Sequence, residues 1–124
     1  MLGSAAQKYR DKVQDQQELL AAASDIIIDL YAMESVLLRT EKLISSRGEA
    51  ACSLQIDAAR TFANDSFQRI EGHAKTALAA MAEGDELRTM LAVLRRLTRF
   101  TPFDTIGARR RIADSVISAG RYNV

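Results

Sequence analysis

Apolar positions recur at helical spacing along almost the whole chain. Between Gln7 and Ser46 the stripe is Leu19, Ala23, Ile26, Ile27, Leu30, Met33, Leu37 and Ile44, the pattern of a helix with one buried side. Ile26-Ile27-Ile28 would pass for a strand alone, but the helical period continues on both sides of it. The stretch Leu30–Lys42 lacks Gly and Pro and is rich in good helix formers, so it reads as the central helix of the domain. Glu34 and Glu41 lie close to the same stripe. A carboxylate on a packing face needs a cation or several donors, so Glu34 is expected to be at least half buried and paired with Arg39, Arg95 or Arg96.

The pattern predicts three further helices. Gly48 follows Ser45-Ser46-Arg47, where a left-handed residue ends the first helix. The second helix spans about 49–83, with Leu54, Ala58, Phe62, Ser66, Ile70, Ala74, Leu78 and Met81 inward. Gly84 ends it and Asp85 is expected to cap the third helix, about 86–100, with Leu87, Met90, Leu91, Leu94 and Leu97 inward. Thr101-Pro102-Phe103-Asp104 reads as a start signal, with Thr as N-cap and Pro at the first helical position. The fourth helix then covers about 102–119, offers Ile106, Ile112, Ala113, Val116 and Ile117 to the core, and stops at Gly120.

The expected fold is all-α: one domain, an antiparallel up-down four-helix bundle with two long and two short helices, and residues 1–6 disordered or the edge of a longer piece. At 1.5 Å per residue the long helices measure about 60 and 50 Å and the short ones about 22 and 25 Å. The short pair is expected to cover one end of the long hairpin. Val36, Leu38, Ile44, Leu54 and Ile56 then lack partners and form an association surface, met by a second copy or by a larger body.

Composition narrows the function classes. The chain has 124 residues, 48% of them hydrophobic, one proline and six glycines, ordinary values for a globular helical domain. One cysteine, Cys52, excludes an internal disulfide and suits a reducing, cytoplasmic setting. No apolar run reaches the length of a membrane span. Residues 1–85 carry 9 basic and 13 acidic side chains, and residues 86–124 carry 8 arginines and 3 acids. The basic end therefore faces either an anionic partner or the acidic half of its own fold, and the second reading is preferred.

Little in the chain resembles an active site. One histidine, in Glu71-Gly72-His73, has the wrong spacing for the Glu-x-x-His pairs of di-metal bundles. Cys52 has no second Cys and no nearby His, and no phosphate-binding Gly loop is present. Arg95, Arg96, Arg99, Arg109, Arg110 and Arg111 flank a tight turn, as in a helix-turn-helix reader. Ile106 and Gly107 then open the supposed recognition helix without base-reading side chains, which argues against nucleic acid. From the residues alone the chain is an interaction or accessory domain; a free-standing dimeric helical adaptor, binding nucleic acid through its arginine-rich end, is the alternative.

Four segments carry a resemblance: Leu30–Lys42, Phe67-Gln68-Arg69-Ile70-Glu71-Gly72, Leu94-Arg95-Arg96-Leu97-Thr98-Arg99-Phe100-Thr101-Pro102 and Ala119-Gly120-Arg121-Tyr122. In that order, from about Gln16 onward, they resemble the extra C-terminal domain of bacterial acyl-CoA dehydrogenases related to the mitochondrial very-long-chain enzymes. The resemblance implies a parent flavoprotein of fatty acid β-oxidation that introduces the α,β double bond of acyl-CoA. Its FAD, CoA site and catalytic glutamate would lie upstream of the matched region. None of those residues maps here, so this chain is expected to hold no cofactor, metal or catalytic residue and to serve subunit packing, as a homodimer or against the catalytic core. In the mitochondrial members the domain is also linked to membrane association, but this chain shows no amphipathic insertion with Trp or Phe anchors.

Overall fold

The computed structural model describes residues 2–9 and 16–124, and every regular element among them is helical. In chain order these are α1 (Leu2–Tyr9), α2 (Gln17–Arg47), a 3-10 turn (Ala50–Cys52), α3 (Ser53–Met81), α4 (Gly84–Leu97) and α5 (Thr105–Ala119). The all-α class is as expected. Of residues 1–6, expected to be disordered or the edge of a longer piece, residues 2–6 belong to the helix α1. Part of the expected first helix, residues 10–15, lies outside the described residues.

The elements form two compact units, one from residues up to Leu30 with Phe67–Phe100, the other from Tyr31–Ser66 with Thr101–Val124. This overturns the expectation that both short helices cover the same end of the hairpin. Helix α4 belongs to the first unit and α5 to the second.

In the first unit Ala5 is 3% exposed and clusters with Leu19, Ala22, Ala77, Leu78 and Met81. Leu87, Met90, Leu91 and Leu94 of α4 pack against this cluster. Lys8 Nζ donates to the Met81 carbonyl, which ties α1 to the end of α3. The Phe67 and Phe100 rings stack with centroids 5.2 Å apart. The buried carboxylate of this unit is Asp29, not the expected Glu34. Arg69 Nε donates to both of its oxygens at 3.2 Å, and Nη2 reaches Oδ1 at 2.6 Å. The side chain of Asp29 is 13% exposed and that of Arg69 46%, so the pair is buried on the acidic side alone.

The second unit is built on Met33, Cys52, Ala59 and Ser66, all buried, with α5 laid on through Ala108, which is 0% exposed. Residues 101–104 are not helical, which corrects the expected start of the last helix at Pro102. The N-cap is Asp104, whose Oδ1 accepts from the Gly107 amide at 2.9 Å. Upstream, the Phe103 amide donates to Asn64 Oδ1 at 3.2 Å, and the Arg60 guanidinium lies 4.4 Å above the Phe103 ring. Likewise Asp85 does not cap α4; it lies in the first turn, and Glu83 occupies the cap position. Gly48, at φ 84, ends α2 as foreseen.

Two outcomes follow for the helix joints. A Cβ added at Gly107 would collide with the Asp104 carboxylate. Gly107→Ala is therefore expected to lose the cap, about 1 kcal/mol, and so to forfeit the gain of about 1 kcal/mol that an exposed helical Gly→Ala change brings. Melting curves should show no stabilisation. At the buried pair, Arg69→Met should lower stability by about 2 kcal/mol and Asp29→Asn by about 1 kcal/mol, because the half-exposed guanidinium returns to water more easily than the enclosed carboxylate. Urea unfolding of the two variants checks this order.

Candidate functional site

Helix α5 is held on α3 by charges. Arg111 Nε and Nη2 donate to the Asp57 carboxylate at 2.7 and 3.0 Å, and Arg109 pairs with Asp65. Arg109 and Arg111 flank Ala108, so the two pairs lie to either side of the buried strip of α5. The Arg111 hydrogen bonds are the main cause that lowers the Asp57 pKa below its ordinary 3.8, helped by the charges of Arg111 and Arg60 against a smaller opposing effect of burial. Two of the arginines at the basic end are thus engaged by acids of the chain itself.

Among the described residues no group of three or more His, Cys, Asp or Glu side chains is placed to hold a metal ion. Cys52 is a buried free thiol, and His73 Nε2 lies 3.8 Å from Asp25. Two apolar clefts are present. One of about 230 Å³ involves Val36, Leu43, Phe62 and Tyr122, the other of about 250 Å³ Ala74, Leu78, Met90 and Leu94. Both are smaller than the usual ~300–1,000 Å³ of a small-molecule site; a third, more polar cleft of about 500 Å³, lined by Lys8, Met81, Glu83, Glu86 and Met90 among others, falls within that range. No described helix is long and apolar enough to cross a membrane.

The notable surface is the outward side of α2. Ile27, Ile28, Leu30, Tyr31, Leu37 and Leu38 are 54%, 64%, 50%, 72%, 50% and 60% exposed. At 100° per residue, Ile27, Tyr31 and Leu38 form one line with Ile28 about 60–100° to one side; Leu30 and Leu37 lie nearer the buried side, and the exposed Glu34 and Glu41 stand between them and that line. The buried line on the opposite side runs Ala22, Ile26, Asp29, Met33, Val36 and Thr40, each buried or half-buried. Helix α2 is therefore apolar on two sides.

The predicted site residues fall as follows. Glu34 is exposed, as are Glu41, Arg39, Arg95 and Arg96, so the ion pair expected of Glu34 is corrected to Asp29–Arg69. Glu34 points away from the core because the inward line passes through Asp29 and Met33, about 100–140° from it around the helix. Of the expected association residues, Leu38 is exposed, whereas Val36, Ile44, Leu54 and Ile56 are half-buried in the unit that contains α5. Sequence reasoning placed Ile27, Leu30 and Leu37 inward and so missed the exposed line. Ile106 and Ile117, also expected inward, are 64% and 77% exposed.

With this geometry the comparisons agree on one class of protein. The family model described as acyl-CoA dehydrogenase, C-terminal domain, matches residues 1–96, and the chain belongs to that family. It is 43% identical over 122 residues to a probable acyl-CoA dehydrogenase of Bacillus subtilis (strain 168), covering 98% of this chain and 20% of that protein. A crystal structure of acyl-CoA dehydrogenase complexed with FAD from Bacillus anthracis matches with a TM-score of 0.95 at 43% identity, over 98% of this chain and 21% of that one. The chain thus spans about a fifth of the length of these relatives.

The clamp between α3 and α5 makes a pH-dependent prediction. The folded-state pKa of Asp57 lies below its unfolded value, so its stabilisation is full above about 4 and is lost as pH falls through the lowered folded value. Asp57→Asn should lower Tm at pH 7, and the gap to the parent chain should close as the melts are repeated from pH 5 down to pH 2.

Proposed function

We propose that this chain is a non-catalytic packing domain of an FAD-dependent acyl-CoA dehydrogenase acting in fatty acid β-oxidation. The observation that carries the reading is the match over 98% of this chain to only about a fifth of two acyl-CoA dehydrogenases. Flavin binding and proton abstraction from acyl-CoA would then belong to the remaining four-fifths. The described residues support this division. They include a buried thiol and carboxylates engaged by arginines of the chain itself. The partner is the catalytic core of the same enzyme, within whatever oligomer it forms. The engagement of Arg109 by Asp65 and of Arg111 by Asp57 argues against the nucleic-acid adaptor, which would need those cations free for phosphates.

The chain purified alone is expected to be colourless and to bind neither FAD nor acyl-CoA tightly. The full-length enzyme that carries it is expected to be yellow and to convert acyl-CoA to enoyl-CoA with an added electron acceptor. Absorption spectra of both check this. Stoichiometric flavin on the 124-residue chain would overturn the reading, as would a flavin-free full-length protein.

A further inference from the structure

We infer that the outward side of α5 is a two-fold contact surface, on which α5 of a second copy of this chain lies antiparallel. The inference goes beyond the reading just given, since it stands on one helix and needs no flavoenzyme core.

Helix α5 belongs wholly to one unit. Its buried strip is Ala108, with Ile112 and Val116 half-buried beside it. On the opposite side, at 100° per residue, Ala113, Ile106, Ile117 and Arg110 fall within about 60° of one another, and Asp114 borders Arg110. All five are exposed, the two isoleucines by 64% and 77%. A surface helix ordinarily turns polar residues alone to that side. Arg109 and Arg111 are held by acids of α3. Arg110, between them, points the other way, and among the described residues neither it nor Asp114 has an ion-pair partner.

The order of chemistry along this side selects a second copy. It reads nearly the same in both directions from Ile112. Arg110 stands two positions before Ile112 and Asp114 two after, while Ile106 stands six before and Ile117 five after. A two-fold axis crossing α5 at that level lays Arg110 beside Asp114 of the second copy, and Asp114 beside its Arg110. The same rotation lays Ile106 against Ile117 at both ends. Such an axis keeps each charge on one flank of the contact, so both ion pairs form along the same edge of the apolar line. Ala113, nearest the axis, has a small side chain that lets two helices approach closely. A surface that matches itself in this way suits an isologous contact, whereas an unrelated partner would require no such symmetry.

Size sets the strength. Two facing helices of 15 residues bury on the order of 600 Å² in total, below the ~1,200–2,000 Å² of a standard stable complex. The contact is therefore weak, forming in this chain at roughly 0.1 mM. It tightens wherever other contacts already hold two copies together.

Sedimentation equilibrium of the chain from about 10 µM to about 1 mM tests this, with a monomer–dimer equilibrium expected. Arg110→Glu and Asp114→Arg, each alone, bring like charges together twice across the axis and should raise the Kd at least about five-fold. Combined in one chain they exchange the two signs, and the Kd should return to within about two-fold of the parent value. Both positions are exposed, and unchanged helix content and Tm check that the variants fold. Independently, Ala113→Cys should give a covalent dimer with a short bis-maleimide near the Kd, whereas the parent chain, whose Cys52 is 1% exposed, should not. A parent chain that stays monomeric throughout leaves this side to another partner, such as the rest of the enzyme, and overturns the inference. A dimer unmoved by the single variants uses another surface and overturns it too. So does a combined variant no tighter than either single one, or an Ala113→Cys chain that does not link.

Discussion

The fold depends on close approach between helices that offer each other small side chains. Ala22, Ala23, Ala59, Ser66, Ala74, Ala77 and Ala108 are buried, and the largest side chains under 2% exposed are Cys52 and Ser66. Burial contributes roughly 25 cal/mol per Å² of apolar surface, so a seam of alanines yields little per residue and relies on dense dispersion contacts. Larger side chains from α4 border the first cluster, and Arg–Asp pairs border the seams in both units. A lean interior also leaves large apolar side chains over, and six of them stand exposed on α2.

Much of this was legible in the sequence. The period of apolar residues gave the helical class, Gly48 and Gly120 marked ends where the structure has them, and the inward residues of α3 from Ser66 to Met81 are buried as read. The direction of α2 was not legible, for a physical reason. With apolar residues around most of its circumference, the helix has no unique inward side in a sequence pattern. The apolar pattern passes over Asp29 and runs instead through Leu30 and Leu37. Its pairing with Arg69, 40 positions away, makes Asp29 an interior residue, and nothing local announces that. The placement of α5 was hidden for a similar reason, since it depends on Asp57 and Asp65 reaching arginines more than forty positions later.

The family match assigns a lineage, and the packing says how each unit is held together. Helix α2 runs through both units, and its inner line is covered within each of them: Ala22 and Asp29 in the first, Met33 in the second. On the proposed reading such a domain acts through surface and position.

The charge clamp on α5 has a consequence for uniqueness of alignment. Alanine- and isoleucine-rich faces are repetitive, and a helix lying on such a face could slide by one turn, about 5.4 Å, and find a similar apolar surface. Arg109 binds Asp65 and Arg111 binds Asp57, so residues two apart on α5 hold acids eight apart on α3. A one-turn slip stretches one pair as it relaxes the other, and no displaced position satisfies both. The two pairs therefore act as a key that selects a single alignment from several nearly equivalent ones, in the way a lone polar residue sets register in a coiled coil.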